Sequence, residues 1–352
     1  RVAMSSDRAL FVALTLVFCC ASASAQPAGW RNVTQMIQDQ GYKCIDHSVI
    51  TEDGYTLSMQ QIPGSGPPVY LQHGFLDSAA TWVMGTPEES LGFILADAGF
   101  DVWLGNTRGN LYCLNNKYYS NETQEFWDFS WDEMAAYDLP AKLQYVSSST
   151  GGQAVNYIGH SEGTLIAFTE FSQNTTTSDV VNLFIALAPV VYLTDPGELI
   201  QLAAEVSPSE ITKIFGTMGY LQPWDEDAQD LYEAAVNDPL LAQLGICLVA
   251  GCESPSNINE EDLPVIFSHF PSGSSMQDLL HYQQQVVNGT WAMYDYGTAA
   301  ANQEAYGQST PPAYSLDNYD VPTAIFSGSR DKFADPTDVQ LLLSMLPVPP
   351  VY

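Results

Sequence analysis

Apolar and polar residues alternate along residues 48–62 (SVITEDGYTLSMQQI), with Asp53-Gly54 between the two runs, a pattern that predicts a β-hairpin turning at that dipeptide. A short apolar strand at 68–71 (PVYL) leads into His73-Gly74-Phe75-Leu76. Thr86-Pro87-Glu88-Glu89 reads as a capping box with proline at the first helical position, and Leu91, Phe93, Ile94 and Leu95 carry that helix to Gly99. A strand at 100–104 (FDVWL) follows at once. Strand, helix, strand is the repeating unit of a parallel sheet.

A second capping box, Ser130 to Glu133, predicts a helix running toward Tyr145, and after Gly151-Gly152 a strand at 154–158 enters Gly159-His160-Ser161-Glu162-Gly163. A buried helix at 164–170 (TLIAFTE) and a strand at 183–187 (LFIAL) continue the rhythm to Pro189. It breaks over residues 194–317, too long for an ordinary connection, where helical patterns such as 240–248 mix with Pro, Gly and Asn turns. Strand character returns at 322–326 (PTAIF), ahead of Ser327-Gly328-Ser329-Arg330-Asp331. The expected architecture is an α/β core with a mostly parallel sheet, in two parts (26–193 and 318–352), interrupted by a mainly helical cap at 194–317. No internal repeat is present.

The charge excludes one class of partner. Lys plus Arg total 10 against 41 Asp plus Glu, a formal charge of −31, which repels nucleic acid. With 46% hydrophobic and 12% aromatic residues the chain is nonetheless a folded body carrying its acidity on the surface. Residues 9–23 (ALFVALTLVFCCASA), preceded by Arg8 and closed by Ala23-Ser24-Ala25, read as a secretory signal peptide cut before Gln26, and the run is shorter than the ~20 residues of a transmembrane span. Met4 is the expected start, so residues 1–3 read as translated upstream sequence. The sequons at Asn32, Asn121, Asn174 and Asn288 fit a secretory route. Four cysteines remain after the leader, and Cys247 with Cys252 is the locally plausible bridge.

Gly159-His160-Ser161-Glu162-Gly163 matches GxSxG with a strand entering and a helix leaving, the context that makes it a nucleophile elbow. Glycines at 159 and 163 allow the tight turn that lifts Ser161 Oγ above the sheet. A serine nucleophile needs a base, and its tetrahedral intermediate needs two fixed N–H donors. The backbone N–H groups of Glu162 and Phe75 are the candidates. Chain order in this fold runs nucleophile, acid, histidine, which selects Asp331 after the late strand, ahead of Asp335 and Asp338 in the following helix.

These residues resemble an acid lipase of the gastric and lysosomal kind. The resemblance spans nearly all the chain after the leader: NVTQMI at 32–37, TEDGYTL at 51–57, LQHG at 71–74, ATWVM at 80–84, SLGFILADAG at 90–99, DVWLGN at 101–106, Arg108-Gly109, DLP at 138–140, GHSEGT at 159–164 and ADP at 334–336. It implies an α/β-hydrolase core under a helical cap, and hydrolysis of neutral-lipid esters at an oil–water or membrane interface without metal or organic cofactor. By motif it makes Ser161 the nucleophile, Asp331 the acid, and Phe75 and Glu162 the oxyanion donors. Glu162 stands where the family usually has Gln, and Phe75 where it usually has Leu. The family's cap disulfide uses a cysteine upstream of the one resembling Cys247, which has no counterpart here.

The family's histidine is expected one strand beyond Asp331, yet no histidine follows His281. His47, His73, His160, His269 and His281 are each expected to pack or face solvent rather than act as base. The chain is therefore expected to lack its final strand and helix, to be inactive as it stands, and to leave the strand before Asp331 unpaired along one side. A non-catalytic lipid-binding relative is the alternative reading. An epoxide hydrolase would carry Asp at the elbow in place of Ser161.

Overall fold

In the computed structural model, which describes residues 30–173, 176–220 and 237–352, the alternating run becomes an antiparallel pair, β1 (Ile45–Ile50) and β2 (Tyr55–Ile62), turning at Gly54 with φ of 96°. Before it, α1 (Val33–Asp39) is capped by Asn32, whose side chain accepts from Gln35 N–H while Gln35 reaches back to Asn32. The other long strands of this sheet are β3 (Pro68–Gln72), β4 (Asp101–Gly105), β5 (Val155–His160), β6 (Val181–Leu187) and β7 (Thr323–Phe326), in the spatial order β1-β2-β4-β3-β5-β6-β7. Every pairing from β4 to β7 is parallel.

Strand periodicity builds the core on both sides of this sheet. Tyr70, Trp103 and Tyr157 face one apolar cluster, while Val69, Leu71, Val102, Leu104 and Ile158 face the other. β3 and β4 are buried at every position, as central parallel strands must be.

The helices differ from the sequence pattern in two places. Thr86 to Glu89 forms a separate turn, and α2 (Leu91–Asp97) starts only after Ser90. The Ser90 hydroxyl accepts from Gly85 N–H at 2.9 Å instead of capping α2, and Gly92 lies against the Trp82 carbonyl, where a Cβ would come within 2.8 Å of the oxygen. The Ser130 box forms as expected, with Glu133 Oε2 accepting from Ser130 N–H at 2.7 Å. Its helix then widens into a π turn over Met134–Asp138 before α3 (Leu139–Ser149). The widened turn presents buried Asp138 to Arg108, which donates to it from N–H and Nε and to Asp53 from Nη1 at 2.6 Å. The guanidinium lies 4.0 Å from the Tyr55 ring centre, so one buried cation fastens the β1–β2 turn to the π turn.

After β5 comes α4 (Glu162–Ser172), buried along its whole length. The long insertion carries α5 (Glu198–Ala204), α6 (Pro208–Phe215), α7 (Pro239–Val249), α8 (Leu263–His269), α9 (Met276–Asn288) and α10 (Ala299–Tyr306). Ile211, Phe215, Met276 and Leu279 form a separate cluster around Leu76 of the loop after β3. From Trp291 the chain rejoins the main core, with Trp291 Nε1 donating to Thr169 Oγ1 at 3.2 Å.

α11 (Pro336–Met345) follows β7. The outer edge of β7 is not bare: Val351 N–H donates to Thr323 O at 2.7 Å and Ile325 N–H to Tyr352 O at 2.9 Å, and Tyr352 stacks on Phe326. No helix among the described residues is long and apolar enough to cross a membrane. Residues 1–25, read from the sequence as upstream residues and a leader, lie outside the described residues.

Candidate active site

Ser161 sits between β5 and α4 at φ 52° and ψ −117°, a conformation that L side chains rarely adopt. The surroundings hold it there. A Cβ on Gly159 would come within 2.6 Å of Gly163 O, and one on Gly163 within 2.6 Å of Gln72 O. Strand, turn and helix therefore close to distances that only glycine permits. Ser161 N–H donates to Leu187 O at 2.9 Å, and Thr164 Oγ1 donates back to Ser161 O at 2.6 Å.

The loop after β3 runs directly behind this turn. A Cβ on Gly74 would lie 3.0 Å from Ser161 Cβ, and Leu76 takes φ of 59°. Phe75 packs its ring on Tyr282 of α9, with centroids 5.2 Å apart, and Ser272 N–H of the insertion donates to Leu76 O at 2.6 Å. His73 is wholly internal. Its Nδ1 lies 2.8 Å from Gly74 O and its Nε2 accepts from Thr107 N–H at 3.2 Å, which assigns the proton to Nδ1; burial pushes its pKa down to about 3. It shapes the loop.

Asp331 follows β7, and its Oδ1 accepts from Phe333 N–H and Ala334 N–H, both at 2.9 Å. Ser161 and Asp331 line one cavity of about 550 Å³, shared with His160 and with Ala250, Gly251 and Cys252 of the insertion. The fold thus brings the nucleophile and acid candidates together. Asp335 and Asp338 lie elsewhere in role: Asp335 caps α11, while Asp338 accepts from Thr194 and Asp195 where the insertion begins.

The imidazoles separate clearly. His47 meets Tyr145 and Gln61, His269 meets Arg31 O at 2.8 Å, and His281 lies between Ser130 Oγ and Ala292 O while stacking on Trp131. His160 lines the cavity, where burial lowers its pKa against the attraction of Asp331. None of the five bridges Ser161 to Asp331 by hydrogen bonds.

Cys247 and Cys252 are joined at 1.98 Å. The loop they close is docked on the acid's loop: Lys332 N–H donates to Ala250 O at 3.1 Å and Lys332 Nζ to Leu248 O at 2.8 Å. Of the sequons, Asn121 and Asn288 are exposed, Asn32 is engaged in its cap, and Asn174 lies outside the described residues.

Residues 33–86 match the partial alpha/beta-hydrolase lipase region and residues 67–232 the alpha/beta hydrolase fold. The chain is 41% identical over 328 residues to gastric triacylglycerol lipase of Homo sapiens, covering 90% of this chain and 82% of that one. It is 40% identical to the Rattus norvegicus protein of the same name, over 91% and 84% of the two chains, and 37% identical to Lipase member K of Homo sapiens, over 92% and 84%. The chain belongs to the gastric and lysosomal acid lipase family. Membership in that family agrees with the mostly parallel sheet and its flanking helices.

Sequence reading of this lipase missed two partners of the site. Glu162, which could have projected into solvent, is 1% exposed and faces Asp278 and Tyr282 of α9. The Ala250–Cys252 wall was missed as well, because small residues in a turn carry no pattern. The one available signal for Asp278 was its place in the first turn of a capped helix.

Proposed function

We propose that the chain is a serine lipase of the secretory route, secreted or lysosomal, that hydrolyses neutral-lipid esters, triacylglycerol or cholesteryl ester, through an acyl-enzyme. The observation that carries this reading is Ser161, held at positive φ at the head of α4 and facing a cavity that contains Asp331. In the reaction an imidazole between the two takes the Ser161 hydroxyl proton as Oγ attacks the ester carbonyl carbon. The carbonyl oxygen becomes an oxyanion held by the backbone N–H groups of Phe75 and Glu162. The same proton passes to the leaving alcohol, and water, deprotonated in turn, releases the fatty acid and restores the serine. Asp331 orients the ring. The names of the relatives support a triacylglycerol-type substrate, and Ser161, Asp331 and the backbone donors require no metal or organic cofactor for these steps.

The base is an imidazole placed in the cavity, a position that none of the five histidines in residues 1–352 takes. Residues 1–352 alone are expected to hydrolyse a soluble short-chain ester only marginally. Free imidazole in the buffer, or a continuation of the chain that places a histidine there, is expected to raise the rate, and Ser161→Ala to abolish that gain; losing the nucleophile of a serine hydrolase costs about 10⁶-fold. A full rate without added imidazole would assign the base to His160. Binding of ester lipid with no turnover under any of these conditions would favour the lipid-binding alternative.

A further inference from the structure

Behind Ser161 the fold buries two acids against each other. Glu162 is 1% exposed and Asp278 is 0% exposed. Asp278 belongs to the first turn of α9, where its N–H donates to Ser275 Oγ at 3.0 Å. Both of its oxygens already accept: Oδ1 from Trp131 N–H at 3.0 Å and Oδ2 from Ser274 Oγ at 2.6 Å. The Glu162 carboxyl faces Asp278 and the Tyr282 hydroxyl, while its Oε1 and that hydroxyl are buried without an ordinary hydrogen-bond partner. The other ionisable groups around the pair are Glu133 of the Ser130-capped helix and Tyr157 of β5, and neither acid forms an ion pair among the described residues.

Two carboxylates in one dry space cannot both ionise, so one proton stays with the pair. The donors on Asp278 favour charge there, which leaves Glu162 as the protonated partner that donates to it. We propose that Asp278 is a positioning residue for the nucleophile elbow, sharing one proton with Glu162 and so fastening the first residue of α4 to α9 of the insertion. This rests on the reading of Ser161 as nucleophile, since Glu162 is its immediate neighbour and the proposed oxyanion donor. Once the proton leaves, two charges repel across the junction that holds the elbow. Burial pushes both acids up, Asp278 to about 7 and Glu162 well above the usual carboxylate range, in keeping with a retained proton.

The sign follows from linkage. The folded chain keeps a proton that the unfolded chain releases at the ordinary carboxylate pKa. The contribution is therefore fully present below that value and is lost as pH rises through the folded one.

The test compares the parent with Glu162→Gln, Asp278→Asn, the double variant and Asp278→Ala, by thermal unfolding and by hydrolysis of a soluble ester across pH at one fixed concentration of added imidazole. The amide variants are expected to show a weaker fall of stability with pH, the unfolding constant changing about tenfold less per pH unit for one proton. Their ratio of neutral to acidic turnover is expected to exceed the parent's. Asp278→Ala is expected to lower kcat by about 100-fold with KM little changed, as loosened positioning does. Where that variant does not fold, the amide pH profiles decide. Unfolding slopes parallel to the parent's overturn the shared proton, and an unchanged kcat in folded Asp278→Ala overturns the positioning role. A parent that hydrolyses no ester, even with imidazole, removes the functional reading, while the unfolding slopes still decide the pair.

Discussion

Gly163 lies so close to Gln72 that a side-chain carbon on the glycine would stand 2.6 Å from the Gln72 carbonyl oxygen and 2.9 Å from that of His73. Both obstacles are backbone, one at the end of β3 and one in the residue after it, and cannot rotate aside. Gly163→Ala is therefore expected to destabilise the fold by about 3 kcal/mol. Because the displaced helix carries Ser161 with it, turnover should fall by about 100-fold even in the fraction that stays folded. Activity per folded molecule equal to the parent's would show that the approach of helix to strand does not set the elbow.

The buried ion triad makes a separate claim on stability. Arg108 is 1% exposed and serves Asp53 and Asp138 together. Asp138→Asn leaves the shape but removes one of two counter-charges, and breaking such a buried pair costs about 3 to 5 kcal/mol. Denaturant midpoints should show the loss. Replacing Arg108 by Met should cost less than Asp138→Asn if desolvation dominates, and more if the guanidinium hydrogen bonds do.

On α7, Leu240, Leu244 and Leu248 recur one turn apart and are 59%, 48% and 48% exposed. A stripe of leucines open to solvent suits contact with an emulsion surface better than a packed cap helix, although such apolar helices are more often buried. Leu244→Ser with Leu248→Ser removes roughly 2 kcal/mol of apolar transfer, which predicts about 30-fold weaker adsorption to lipid droplets. Turnover of a soluble ester should hold. Equal losses in both assays would place these side chains in packing instead.

Stability should peak in mild acid. Burial pushes Asp77, Asp132 and Glu133, like Asp278, up to about 7, so the folded state holds protons that the unfolded chain gives up near the ordinary carboxylate range. From that range upward, stability falls as pH rises. Burial pushes His73 and His281 down to about 3, so below the ordinary imidazole value the unfolded chain takes up protons that the folded chain refuses. Once the carboxyls are protonated in both states, the histidines alone remain and stability falls as pH falls. The melting temperature should be highest near pH 4 to 5. A maximum at neutral pH would mean that the buried carboxyls ionise in place.

What the sequence revealed of this site divides along physical lines. The elbow was legible because its glycines answer to local backbone geometry, β2 because side-chain alternation is a property of the strand itself, and β3 because a central strand covered on both faces is apolar along nearly its whole length. The start of α2 was not. Thr86 to Glu89 satisfies every local rule for a cap, yet the approach of Gly92 to Trp82, a tertiary contact, moves the start to Leu91. The partner of Glu162 was hidden for a stronger reason. Asp278 reaches it from the far side of the insertion, and nothing near either residue encodes the meeting.

The strand order has one more consequence. Ser161 leaves β5 and Asp331 follows β7, with β6 between them. Neighbouring strands lie about 4.8 Å apart, so the two groups start roughly 10 Å from each other. Direct hydrogen bonding would need one strand fewer, whereas a five-membered ring with a bond at either end fills the interval. Just beyond β6, Ala188 takes φ of 51° and lines the same cavity. For the proposed relay, the width of the middle strand sets the interval that the imidazole spans.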